Sequence, residues 1–120
     1  MTESQIQSSC VLWFRYQHQR SSKFLISVPN GGYRGKKAGG LMKKEGAMAG
    51  APDLILFCPR GHQLPMFLEC KTETGRLRPE QKLFRDQVTA AGYRYEVFRT
   101  LEQFSTLVDT YLGHEKTPPE

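Results

Sequence analysis

Two short apolar runs, DLILFC (Asp53 to Cys58) and MFLECK (Met66 to Lys71), are separated by only seven residues, PRGHQLP (Pro59 to Pro65). Parallel neighbours need a crossover of about a dozen residues or more, and a connector with two prolines and a glycine has no room for one. The pair therefore predicts an antiparallel hairpin. With Cys58 set opposite Met66, simple register puts Ile55 opposite Glu69 and Asp53 opposite Lys71.

The flanking sequence supplies the elements that would cover such a hairpin. From Thr2 to about His18, Ile6, Cys10, Trp13 and Phe14 recur at helical spacing, and Thr2 with Gln5 can form a capping box. KFLISVP (Lys23 to Pro29) reads as a strand. LMKKEGAMAGAP could hold a short helix, although its glycines weigh against one. Pro79 suits a first helical position, Leu83, Phe84, Val88 and Ala91 form a stripe behind it, and Gly92 is placed to end that helix. YRYEVFR (Tyr93 to Arg99) has strand periodicity. Thr100 and Gln103 then open a last helix with the stripe Leu101, Phe104, Leu107, Val108 and Tyr111. The expected fold class is α/β, a central mixed sheet flanked by helices.

Alternation along MFLECK places Phe67, Glu69 and Lys71 on one face and Met66, Leu68 and Cys70 on the other. Asp53, on the neighbouring strand, shares the charged face. Two carboxylates can supply oxygen ligands to a hard divalent cation, with water and substrate phosphate completing its shell. An ammonium beside them can orient water and offset charge developing on a phosphate. That chemistry suits phosphodiester hydrolysis. The plain alternative is a cross-strand Asp53–Lys71 ion pair with Glu69 turned to solvent.

Composition narrows the classes further. At 120 residues the chain is one domain's worth, expected to occupy residues 1–112 with a loose tail at 113–120. No apolar run approaches the roughly 20 residues of a membrane span, and the first residues lack the pattern of a signal peptide, so a cytoplasmic protein without a membrane partner is expected. Cys10, Cys58 and Cys70 form no CxxC pair and read as reduced core thiols; Cys58 and His62 lack a second ligand pair for zinc.

The formal charge is +5, which favours a polyanionic partner. Between Asn30 and Gly50, Arg34, Lys36, Lys37, Lys43 and Lys44 face the single acid Glu45, and seven of the eleven glycines fall there. The segment lacks GxxxxGK[ST] spacing, so no nucleotide cofactor is expected. It suits contact with a nucleic-acid backbone, with Asn30, Arg34, Lys36, Lys37, Lys43 and Lys44 as candidate phosphate contacts. Arg76 and Arg78 extend the positive surface. For any one of these, an ordinary solvated position is the alternative.

APD (Ala51 to Asp53) and ECK (Glu69 to Lys71) on consecutive strands resemble the PD-(D/E)xK nuclease superfamily. GAMAGAPDLILFCPRG, FLECKTETGRLRPEQ and AAGYRYEVFRTLEQF together are similar to the VRR-NUC family, in its small stand-alone form from bacterial viruses and bacteria. The resemblance runs from Glu3 to about Phe104. It implies a restriction-endonuclease-like fold and Mg2+- or Mn2+-dependent DNA cleavage, carried out by homodimers similar to Holliday-junction resolvases. A two-fold dimer suits paired nicks across a four-way junction. If viral, such a protein would work in the host cytoplasm. Carried over by position, Asp53 and Glu69 become metal ligands, Lys71 the catalytic lysine and the Cys70 carbonyl a further ligand. Glu3 matches an acid of the family's first helix that can join the metal network, although a first-turn acid favoured by the helix dipole is as good a reading. Gln81 matches a glutamine that either serves the active site or satisfies a structural backbone group. Ala51 stands where valine is common, and Arg78 where a capping serine would sit. Within the enzyme class a flap, duplex or single-strand nuclease is the alternative, and outside it a non-catalytic DNA-binding protein of the same fold.

Overall fold

The computed structural model describes residues 1–29 and 44–113. Asn30, Arg34, Lys36, Lys37 and Lys43, the first three residues of LMKKEGAMAGAP, and the expected tail from residue 114 onward lie outside the described residues. In chain order the elements are helix α1 (Glu3–Gln17), a 3-10 turn (Gln19–Phe24), strands β1 (Leu25–Ser27), β2 (Leu54–Leu56) and β3 (Met66–Cys70), helix α2 (Pro79–Ala90), strand β4 (Arg94–Phe98) and helix α3 (Leu101–Gly113). The four strands form one sheet in the order β1-β2-β3-β4. β1–β2 and β2–β3 are antiparallel and β3–β4 is parallel, with α2 as the crossover.

Capping follows the sequence at both long helices. Thr2 Oγ1 accepts from the Gln5 amide at 3.1 Å, and Gln5 Oε1 accepts from the Thr2 amide at 2.8 Å, which satisfies donors that the first helical turn leaves free. At α3, Thr100 Oγ1 accepts from the Gln103 amide at 3.1 Å. Gly92, at φ 100, supplies the left-handed residue behind α2.

α1 and α3 cover one face of the sheet. Ile6, Cys10 and Phe14 of α1 meet Leu54, Leu56, Met66, Leu68, Cys70 and Phe98 of the strands and Phe104, Val108, Tyr111 and Leu112 of α3 in a single buried cluster. Each such large side chain contributes about 1.5–3 kcal/mol through burial. Phe98 and Phe104 stack edge to face at 4.9 Å between centroids. The three cysteines are buried thiols of this layer. α2 lies on the opposite face, where Phe84 meets Phe67 at 5.6 Å.

Several expectations need correction. The hairpin register pairs Leu54 with Leu68, Ile55 with Phe67 and Leu56 with Met66, two residues away from the simple register, so Asp53 follows on opposite Glu69 and diagonal to Lys71. β2 pairs with β3 only as far as Leu56, although the Phe57 amide still extends the β1–β2 ladder to the Phe24 carbonyl at 2.8 Å. The loop beyond is pinned to α3 by Gln63 Nε2 donating to the Tyr111 carbonyl at 3.0 Å and Tyr111 Oη to the Leu64 carbonyl at 2.7 Å. A shift of two leaves every side chain on its expected face, because the strand repeat is two. The run from Lys23 begins as the end of the 3-10 turn, so only Leu25–Ser27 is strand. Leu83 is 61% exposed and Leu101 40%, so neither belongs to its helix's buried stripe. On α2 the one buried residue is Gln81.

Candidate active site

The sheet's second face ends in a polar pocket. Pro52 precedes β2, has no amide to donate, and is buried. Asp53 then serves two strands. Its carbonyl accepts from the Val28 amide at 2.9 Å beyond β1, and its side-chain Oδ2 accepts from the Cys70 amide at 2.8 Å. The carboxylate takes over where the β2–β3 backbone ladder stops at Leu54.

Glu69 and Lys71 project from β3 on the face covered by α2, with only 2% and 5% of their surfaces exposed. Lys71 Nζ lies 3.7 Å from Glu69 Oε2, and Gln81 Nε2 donates to the same oxygen at 3.1 Å. The alternative with Glu69 turned to solvent is therefore not the arrangement found. Glu69 Oε1 is buried and has no hydrogen-bond partner among the described residues. Burial, the Asp53 charge beside it and a proton it can share with Asp53 push the Glu69 carboxyl up to about 8, against the opposing pull of Lys71. A buried Glu69 carboxyl that resists ionisation beside the half-buried Asp53 carboxylate is a place where positive charge is favoured.

Gln81 bonds in two directions. Its Nε2 reaches Glu69 while its Oε1 accepts from the Arg78 amide at 2.8 Å, capping α2 in the absence of a serine. The helix start and the acid are thereby fixed to each other by one side chain.

Glu3 is exposed at the start of α1, and its carbonyl accepts from Cys70 Sγ at 3.5 Å. Its charge adds to the upward push on Glu69, so it borders the pocket. Cys70 itself packs its side chain in the opposite core, where burial holds the thiol up at about 12. Among the described residues no three His, Cys, Asp or Glu side chains converge at metal-binding distance. The pocket thus offers two close carboxylates, Asp53 and Glu69, with Glu3 at its margin.

Outward from Asp53 runs an open groove lined by Glu3, Gln7, Val11 and Arg15 of α1, by Ile26 and Val28 at the β1 edge, and by Arg78. Arg78 is exposed and holds Glu80 Oε1 at 3.3 Å from its Nε. Lys44 and Arg76 are also exposed. The other basic candidates fall outside the described residues.

Three site-shaping residues escaped the sequence reading. Gly50, at φ 82, packs against the backbone of Glu80 so closely that a methyl there would overlap the Glu80 carbonyl. This contact seats the loop carrying Asp53 on the start of α2, which carries Gln81. Arg99, just past β4, donates from Nη1 to the Thr72 and Gly75 carbonyls at 2.6 Å each and faces the Glu73 carbonyl at 3.3 Å. It clamps the turn that leaves Lys71, and Gly75 of that turn borders the lysine's stem. Tyr95 of β4 aligns with Phe67 and so shares the pocket's face. The glycine-rich run before Asp53 was the only sequence signal for any of them.

Comparison with known proteins agrees with this architecture. A solved structure described as a VRR_NUC domain protein superposes with a TM-score of 0.78 over 94% of this chain and 89% of that chain, at 22% sequence identity. That likeness establishes the restriction-endonuclease-like fold. No curated protein matches the sequence. The family model for the VRR-NUC domain matches residues 1–101, which include α1, the hairpin, α2 and β4 with all the pocket residues. The chain therefore belongs to the VRR-NUC family of nuclease-type domains.

Proposed function

We propose that the protein is a Mg2+- or Mn2+-dependent DNA endonuclease with Asp53, Glu69 and Lys71 as its catalytic set. The observation that carries this reading is the buried Glu69, held by Gln81 and Lys71 on Oε2 while Oε1 is left without a partner, one strand from the Asp53 carboxylate.

The donor set fits a hard cation. Two carboxylates with a backbone carbonyl leave positions for water and phosphate, the shell Mg2+ prefers. Asp53 and Glu69 would hold the ion, and the Cys70 carbonyl lies on the same edge of β3 as the amide that binds Asp53. A bound divalent cation would supply Lewis acidity toward the scissile phosphate and a more acidic water. Lys71 brings a buried ammonium to the same corner, where it stabilises negative charge gathering on the phosphate oxygens. Gln81 keeps Glu69 from rotating away. Exposed Arg78 at the groove, with Arg76 and Lys44, suits phosphates on either side of the cut, and Gln81 completes the proposed catalytic residues.

Branched DNA, in particular a four-way junction, is the proposed preferred substrate and a homodimer the proposed working form. Two symmetric nicks require two such pockets about a two-fold axis. Side-by-side cleavage of four-way junction, flap, duplex and single-stranded DNA, with Mg2+ and with chelator, tests the whole reading. Cutting of junctions that needs the metal and vanishes in Lys71→Ala is expected. Equal cutting of all substrates would remove the junction preference, and cutting in chelator would remove the metal.

A further inference from the structure

Among the described residues, the buried side-chain polar atoms left without a hydrogen-bond partner are Glu69 Oε1 and the Tyr95 hydroxyl. Leaving a buried polar atom unmatched costs about 1–3 kcal/mol, so each such atom calls for a reason. These two are complementary, because a carboxylate oxygen only accepts and a phenol can donate.

Their placement is related as well. Tyr95 stands opposite Phe67 and Val97 opposite Glu69 in the parallel β3–β4 pair, so Tyr95 lies one step diagonal to Glu69 on the same face. Its ring rests 6.4 Å from that of Phe84, on the helix that presents Gln81. Burial, then the charges of Glu69 and Asp53, push the hydroxyl's ionisation upward, so it remains a donor.

We propose that Tyr95 is a positioning residue for Glu69: its hydroxyl donates to Oε1 through one bridging water and fixes the orientation in which that oxygen is presented to a cation. Gln81 and Lys71 already hold Oε2, so Tyr95 would complete control of the second oxygen. An oxygen with two lone pairs can accept from a phenol and still face a metal ion. Outer partners of this kind typically change metal affinity 10- to 100-fold when removed. The inference rests on the reading of Asp53 and Glu69 as cation ligands.

Tyr95→Phe keeps the ring and deletes only the hydroxyl. Mn2+ titration by calorimetry of wild type, Tyr95→Phe and Glu69→Gln, with melting of each in chelator, separates the outcomes. Expected are a Tyr95→Phe melting temperature at or slightly below wild type, Mn2+ affinity lowered about 10-fold, and kcat lowered with KM for DNA unchanged. A merely structural hydroxyl would leave Mn2+ affinity and kcat untouched; Tyr95→Phe binding Mn2+ within about twofold of wild type overturns the inference while leaving the metal site intact. Wild type and Glu69→Gln binding Mn2+ equally would instead overturn the cation reading, and the role of Tyr95 with it.

Discussion

Asp53 accepts the amide of Cys70 at 2.8 Å, so the acid proposed to hold a cation is also the group that closes the ladder between the two site strands. Its removal should therefore have two separable effects. Asp53→Ala strands a buried amide and should lower stability by about 1–3 kcal/mol, whereas Asp53→Asn retains an acceptor and should melt near wild type. Both should lose about 100-fold or more in cleavage. Melting curves set beside cleavage rates check this, and an active Asp53→Asn would contradict the ligand role.

The carboxyl of Glu69 is held up at about 8 from an ordinary value of 4.5, chiefly by burial and by Asp53. Between these values the folded protein keeps a proton that the unfolded chain has released. In chelator, stability should be greatest below the ordinary pKa and decline as pH rises through about 8. Glu69→Gln should flatten that decline and exceed wild type in melting temperature at the alkaline end. Metal-supported cleavage should run the other way, rising with pH through the same window as the carboxylate forms. Thermal melts across this pH range, with and without Mg2+, would show both trends.

Gln81 joins the α2 cap to Glu69 through its two amide atoms. Gln81→Ala should lose about 1 kcal/mol from the cap and slow cleavage about 10- to 100-fold. Gln81→Glu keeps an acceptor for the Arg78 amide but sets a like charge against Glu69, so stability near neutral pH should depend on which carboxyl is protonated. A full-speed Gln81→Ala enzyme would show that Lys71 alone orients Glu69.

Gly50 combines positive φ with contact against the Glu80 backbone. Gly50→Ala should cost about 2–3 kcal/mol, from backbone strain plus displacement of the Asp53 loop from α2. Denaturant unfolding is the appropriate measurement, with cleavage at low temperature showing whether the surviving fold is still misaligned.

Arg99 gathers three carbonyls of the turn behind Lys71. A lysine there lacks the planar fork, so Arg99→Lys should release the turn. Cleavage should fall about 10-fold with little change in DNA affinity, because the loss is in lysine placement. Equal kcat in Arg99→Lys and wild type would confine Arg99 to a purely architectural role.

The alternation of Phe67, Glu69 and Lys71 against Met66, Leu68 and Cys70 was legible because strand geometry has a period of two and needs no partner to state it. The capping residues Thr2 and Thr100 were legible for the same reason, since a cap is satisfied within a few residues of itself. The hairpin register was not. It goes with a loop that is held at Gln63 and Leu64 by Tyr111, contacts between segments far apart in the chain.

The sequence by itself determined the hairpin, the shared face of the two acids and the lysine, and the helices that cover the sheet, because each follows from local spacing and chain connectivity. The tertiary structure alone decided that Glu69 is buried with one oxygen held and one unmatched, that Gly50 seats the Asp53 loop on α2, and that Arg99 and Tyr95 come to the pocket at all. Those outcomes depend on how separate elements stack, and burial and pairing across elements are properties of the stack, with no local pattern to announce them.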